Sequence, residues 1–173
     1  MGAKVQSFQF NPFQENTIVV YDQEKNCVII DPGCYEKHEE DLLFNFIEDH
    51  DLKPLALLNT HAHIDHILGN SAVKSTYNIP FYLHQKDLAT LQAVASYAHV
   101  YGFEKYKISP EPNQFFQHEE VLTFGEICFK IYHTPGHAPG HVVLYNETDK
   151  FVINGDVLFN GSFGRVDLKQ LQL

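Results

Sequence analysis

The stretch THAHIDHILGN crowds His61, His63, Asp65 and His66 into six positions, and all four are metal-ligating types. Imidazole and carboxylate together suit zinc or non-haem iron. Alternate side chains of an extended segment share a face, so His61 and His63 can reach one cation. Asp65 and His66 then start a turn or helix and can address a neighbouring position. One short segment could thus serve two adjacent ions. Chance clustering in a polar loop is the bland alternative, and HxHxDH is far more specific than a lone histidine. Two later stretches reinforce the metal reading. HTPGHAPGH sets His133, His137 and His141 on a Pro/Gly-rich turn, and VINGDVLF ends a strand with Asp156 after Gly155, a residue that permits close backbone approach. Each alone is an ordinary turn; together with the first cluster they complete a mixed nitrogen and oxygen site and exclude a thiolate one. Hydrolysis is one chemistry such ions support: bound zinc lowers the pKa of water to about 7, and paired ions roughly 3.5–4 Å apart can hold attacking and developing oxygens.

Positioning such ligands takes rigid strands. VQSFQF, NTIVVYD and NCVIIDPG read as strands, the last two joined as a hairpin across Asp22 to Asn26. YEKHEEDLLFNFIEDHDL spaces Leu42, Leu43, Phe46 and Ile47 as one face of an amphipathic helix that ends before Pro54. PLALLNT is continuously apolar, as in a strand buried on both faces, and delivers the HxHxDH loop directly. DHILGNSAVKSTYN reads as helical, IPFYLH as a strand, and Leu88, Leu91, Val94 and Ala98 as a further helix. The span 105–120 reads as a loop over one edge. VLTFG, EICFKIYHT, HVVLYNET and KFVINGD return to strands. Two sheets with helices outside them follow from the need to cover both faces.

The 173 residues suit a single domain over 1–173. A formal charge of −10 argues against a nucleic-acid partner, which requires a basic footprint. No apolar run reaches the ~20 residues that span a bilayer, so no membrane partner is expected. The start lacks a signal-peptide design, and Gly2 has Gln6 where myristoylation wants Ser or Thr. Cys27, Cys34 and Cys128 form no disulfide framework or CxxC pair, which favours a reducing compartment and hence the cytoplasm.

The ordered series of Asp31 in IIDPG, the 61–66 cluster, His137 in TPGH and Asp156 in GD resembles the metallo-β-lactamase-fold hydrolases, from about residue 15 to the end. TPGHAPGH and GDVLFNGSFGR are most similar to the glyoxalase II-like (hydroxyacylglutathione hydrolase-like) subgroup. The resemblance implies an α/β four-layer αββα sandwich with the site at one edge between the sheets. It implies that His61, His63 and His137 bind a first ion, that Asp65 and His66 bind a second, and that Asp156 bridges them. Asp65 would orient the attacking hydroxide, while Asp31 would brace the HxHxDH loop. His141 and His133 would support the site or touch substrate. His84 would cap or pack near its strand end, and His38, His50, His99 and His118 would lie on the surface.

Family members carry a further histidine beyond the last strands that this chain lacks. The implied metal is therefore zinc, one ion tight and the second weak or absent, with iron or manganese also acceptable to the ligands. The pattern suggests a C-terminally truncated chain, with an exposed C-terminal edge suited to a homodimer. Where the subgroup holds glutathione with Lys and Tyr, this chain has Arg165 and Asp167. Arg165 would bind a substrate carboxylate or form an ion pair with Asp167. The implied activity is metal-dependent hydrolysis of a small acyl-thioester or related ester by a metal-bound hydroxide. Rivals are a mononuclear iron persulfide dioxygenase, a lactonase or β-lactamase-like hydrolase, a ribonuclease of this fold, and an inactive metal-binding scaffold.

Overall fold

In a computed structural model, residues 2–166 are described. Strands β1 (Lys4–Phe10), β2 (Glu15–Tyr21) and β3 (Asn26–Ile30) form an antiparallel meander. The expected hairpin is closed by Asp22, whose carboxylate accepts from both the backbone and side-chain amides of Asn26. Helix α1 (Lys37–Asp49) starts with a capping box between Glu36 and Glu39. Its buried stripe is Leu43 and Ile47, flanked by Phe44 and Phe46. Leu42, expected on that face, is 56% exposed, because one residue back along a helix turns the side chain about 100° away.

Strand β4 (Lys53–Leu58) pairs in parallel with β3 and is buried on both faces, as its unbroken apolar run requires. Leu57 packs under the helices, while Ala56 and Leu58 face the other sheet. The helical stretch that follows is split into α2 (Ile64–Ile67) and α3 (Asn70–Tyr77), where Gly69 N–H donates to Pro32 O at 2.7 Å. Then come β5 (Phe81–Leu83), a 3-10 turn at Gln85–Asp87, α4 (Leu88–Tyr97) and a second 3-10 turn at Ala98–Tyr101. The span expected as an edge loop contains a short strand, β6 (Gln114–Phe115), which extends the sheet itself. Phe116 beside it is fully buried against Tyr82, which anchors a stretch of weak sequence pattern.

Strands β7 (Val121–Phe124), β8 (Ile127–His133), β9 (Val142–Asn146) and β10 (Phe151–Ile153) make a second, antiparallel sheet in the order β10-β9-β8-β7. The first sheet runs β1 through β6 in sequence order. A hairpin of β11 (Leu158–Phe159) and β12 (Ser162–Phe163), not expected from the sequence, ends the described chain. Val28, Ile30 and Leu58 of the first sheet meet Ile127, Phe129 and Ile131 of the second in one apolar layer. The described helices pack on the outer face of the first sheet around a second layer of Ile29, Leu57, Ile67 and Val94. The result is an α/β sandwich. No described helix is long and apolar enough to cross a membrane.

The loops after β3, β4, β8 and β10 all leave the carboxyl ends of their strands and converge on one edge of the sandwich. Leu57 and Leu58 report on the two layers separately. Leu57→Ala and Leu58→Ala should each cost about 2–5 kcal/mol of unfolding free energy. Chemical denaturation should show lower midpoints with the denaturant slope unchanged.

Candidate metal centre

Asp31 follows β3 with a left-handed backbone (φ 48°) that turns its carboxylate toward the end of β4. Its Oδ1 accepts from Thr60 N at 2.7 Å and Asn59 Nδ2 at 3.3 Å, and its Oδ2 from Thr60 Oγ1 at 2.6 Å. These bonds tie Asp31 to the two residues that lead into His61. They also fix a tautomer. The Thr60 hydroxyl gives its proton to Asp31, so the His61 Nδ1 atom 3.1 Å from Thr60 Oγ1 must be the donor there. The lone pair of His61 is left on Nε2, an atom wholly buried and without a hydrogen-bond partner.

That orphaned nitrogen is the evidence that a cation fits. His61, His63 and His137 each present a ligand atom within 4.8 Å of the others. His63 Nδ1 lies 2.9 Å from His137 Nε2, which lies 3.2 Å from Asp156 Oδ2. His137 Nδ1 donates to the backbone carbonyl of Arg165 at 2.9 Å, which aims Nε2 inward. Burial, with neighbouring rings assisting, pushes His61 well below the usual histidine range and His63 down to about 3. Both are neutral donors, as coordination demands. Burial opposes a charge on His137 too, but the Asp156 carboxylate and the Arg165 carbonyl outweigh it and raise its pKa.

His66 faces a neighbouring position. Its Nε2 is 3.3 Å from Asp156 Oδ1 and 3.6 Å from Asp65 Oδ2, so Asp156 offers one oxygen to each position. Burial would keep His66 neutral, yet Asp31, Asp156 and Asp65 together lift its pKa well above the ordinary value. Burial raises the Asp65 carboxyl, whereas His137 and His66 hold Asp156 far below the usual range despite its own burial. Asp31, His61 and His66 also bring ligand-type atoms together. The protein's own donors already engage both Asp31 oxygens, which makes that trio a brace for the loop.

Asp156 owes its place to Gly155, at φ 47°, where a Cβ would meet Thr60 Oγ1 at 2.5 Å and His141 Nε2 at 2.6 Å. His141 Nε2 accepts from Asp156 N at 3.1 Å, and its Nδ1 faces Thr134 Oγ1 at 3.3 Å. Both ring nitrogens are thus occupied, and burial lowers this ring to about 4, so His141 positions the Asp156 turn and has no nitrogen for substrate. His133 is likewise drawn off the centre. Its Nε2 donates to Pro139 O at 2.8 Å and its ring stacks on His84 at 4.2 Å, which ties it to the 134–141 loop. His84 accepts from Lys86 N and caps the 3-10 turn, as expected. His38, His50, His99 and His118 are exposed. Arg165 lines a groove beside the centre; its expected pairing with Asp167 lies outside the described residues.

Asp87 is a functional residue that the sequence pattern did not single out. Fully buried, it accepts from Ala62 N at 2.8 Å and Gly140 N at 2.7 Å, clamping the HxHxDH loop to the 134–141 loop. Its partners are backbone amides 25 and 53 positions away, which leave no mark in composition or spacing. Asn11 does similar work for Asp65, donating from Nδ2 to the Asp65 and Gly33 carbonyls at 3.0 Å.

Two cavities meet at the centre. A groove of about 580 Å³ runs from His63 and His137 along α4, walled by Ala89, Ala93 and Tyr97, with Lys86 in its lining. A smaller one of about 270 Å³ reaches His66 and Glu15 from the side of the terminal hairpin. Asp65 and Asp156 line both.

Residues 10–172 match the sequence profile of the Metallo-beta-lactamase superfamily. The chain is 34% identical to the hydroxyacylglutathione hydrolase GloC of Haemophilus influenzae, over 90% of this chain and 72% of that protein. Among solved structures, the BLEG-1 B3 metallo-beta-lactamase is 36% identical with a TM-score of 0.84, covering 96% of this chain and 78% of that one. TTHA1623, determined in a di-iron-bound form, is 34% identical with a TM-score of 0.82, covering 94% and 77%.

Two outcomes follow from this geometry. Asp87→Ala strands two buried backbone N–H groups and should lower stability by about 2–5 kcal/mol, read by denaturation. Metal uptake should release protons. The nearby carboxylates raise the pKa of His66 and of His137 above the ordinary histidine value of 6.5, so protons compete with metal at both rings. Calorimetry of metal binding at pH 7 in buffers of differing ionisation heat should therefore show net proton release, and affinity should rise with pH through neutrality.

Proposed function

Because the chain belongs to the metallo-beta-lactamase superfamily, we propose that it is a metal-dependent hydrolase that cleaves a small acyl-thioester of the hydroxyacylglutathione type or a related ester. The observation that carries the proposal is the buried, partnerless Nε2 of His61, aimed at the point where His63 Nδ1 and His137 Nε2 also converge. His61, His63 and His137 would hold one divalent ion, Asp65 and His66 a second, with Asp156 shared between them. Such ions supply a nucleophilic water at neutral pH and a Lewis acid for the developing oxyanion.

Asp65 lies on the wall common to both cavities, where its carboxylate can accept the proton of an attacking water and orient the oxygen toward a carbonyl. The groove along α4 offers apolar side chains for an acyl or carrier chain and the Lys86 and Arg165 cations for carboxylates on a thiol carrier. A thiolate is a weak base, so its departure needs no strong general acid. Zinc, iron and manganese all accept this ligand set. The di-iron form of TTHA1623 makes iron a serious candidate beside zinc.

The test is S-lactoylglutathione hydrolysis by zinc-loaded, iron-loaded and chelated protein. Chelation, and separately His61→Ala, should lower kcat/KM by about 100-fold or more. Equal rates with and without chelator would end the proposal. Oxygen uptake with glutathione persulfide, without thioester cleavage, would transfer the site to oxidative chemistry on a single iron.

A further inference from the structure

Glu15 lies outside the series of motif residues, yet it is buried at 4% exposure beside His66. One of its oxygens is secured: Thr17 Oγ1 approaches Oε2 at 2.9 Å, and that hydroxyl is itself held by Gly33 N–H at 2.8 Å. The other oxygen, Oε1, is buried with no hydrogen-bond partner and points at His66 Nδ1 from 3.7 Å. His66 Nδ1 is also buried and unpartnered; Asp31 Oδ2 stands 3.1 Å away but not in line for a hydrogen bond. Two orphaned polar atoms of complementary type therefore face one another. Neither can be left so without cost, because an unsatisfied buried group forfeits its hydration.

We infer that Glu15 is the positioning residue for His66, the carboxylate that accepts the His66 Nδ1 proton and so commits the Nε2 lone pair to the second cation. The inference rests on the reading above that His66 and Asp65 hold that ion. Asp31, the carboxylate nearer in distance, is already engaged on both oxygens by Thr60 and Asn59. Glu15 Oε1 has no competing donor. Coordination at Nε2 makes the opposite N–H of an imidazole a stronger donor, and a carboxylate acceptor in turn makes the ring a better ligand. Closing the gap from 3.7 Å to hydrogen-bond distance needs only a small rotation of the glutamate, since Oε2 stays pinned by Thr17.

The experiment is calorimetric titration of the metal-free protein with Zn²⁺, wild type against Glu15→Gln and Glu15→Ala. Gln keeps the volume and the Thr17 contact but removes the charge. The second binding phase should weaken by about 10- to 100-fold in both variants, with the first phase and the metal-free melting temperature of Glu15→Gln unchanged. An unaltered second phase in Glu15→Gln overturns the inference, as does a wild-type chain that takes up one ion only. A protein that loses both phases together with its melting temperature also overturns it, because that is a packing role. The zinc-loaded wild type gives an independent readout in its histidine ring nitrogens: His66 must be the Nδ1–H tautomer with a hydrogen-bonded ring proton, and the opposite tautomer sinks the idea. Thioesterase activity is measured separately. Loss of the second ion from Glu15→Gln in a protein that cleaves no thioester would support the role of Glu15 and overturn the proposed substrate.

Discussion

Asp31 accepts hydrogen bonds from Asn59 and from the amide and hydroxyl of Thr60, the two residues that lead into His61, and the ring positions of the centre depend on that contact. The carboxylate reaches them because residue 31 leaves β3 in the left-handed region, which costs a non-glycine residue about 1 kcal/mol. Charge-assisted hydrogen bonds in a buried setting offset such a cost. Thr60 is the node through which the contact spreads. Its carbonyl accepts from Val142 N at 2.8 Å, joining the end of β4 to the second sheet, and its hydroxyl sets the tautomer of His61. A displaced Asp31 would loosen the sheet junction and leave His61 free to swap which nitrogen bears the proton.

Burial alone would push every histidine of the centre toward the neutral form, and the departures from that expectation follow the carboxylates. His61, His63 and His141 lie among other imidazoles and stay neutral. His66 and His137 touch Asp156 and retain protons. In the metal-free protein those protons stand where cations would bind, neutralising the same carboxylates. The positive charge they carry offsets repulsion between Asp65 and Asp156, and a metal ion would take over that role. Thiolates have no part in this, since burial pushes Cys27 and Cys34 to about 12.

The features legible in the sequence were those that repeat over short distances. HxHxDH, the PGH turn and the GD turn announce ligands because each spans a few residues, and PLALLNT announces a two-faced strand because both faces are apolar. Leu42 lies off the expected face because the apolar stripe of α1 runs through Leu43, Phe44, Phe46 and Ile47, and composition does not say on which side the stripe ends. Strand β6 escaped notice because two residues held by one parallel neighbour need no periodic pattern. Asp87, Thr60 and Glu15 are invisible for a different reason: Asp87 and Thr60 bond groups far along the chain, and the ring that Glu15 faces is equally distant in sequence. His133 and His141 belonged to a legible cluster, but their orientation was not legible. Only the contacts with Pro139, Thr134 and Asp156 show that their nitrogens are engaged within the scaffold.

The two positions of the centre are chemically unequal, and the inequality bears on how a substrate would lie. The three-histidine position gathers three imidazoles with Asp156 as the carboxylate beside them, so a cation there would keep more of its charge. The position at His66 is surrounded by Asp65, Asp156, Asp31 and Glu15, and an ion held there would be largely neutralised. The larger groove opens onto His63 and His137, the smaller one onto His66 and Glu15. A substrate entering along α4 would therefore come first to the less acidic of the two positions. Asp65 stands on the wall common to both cavities, where its carboxylate could orient a water. Electrostatics and access agree on this orientation, although the first is fixed by carboxylates on β2 and α2 and in the loops after β3 and β10, and the second by small side chains on α4.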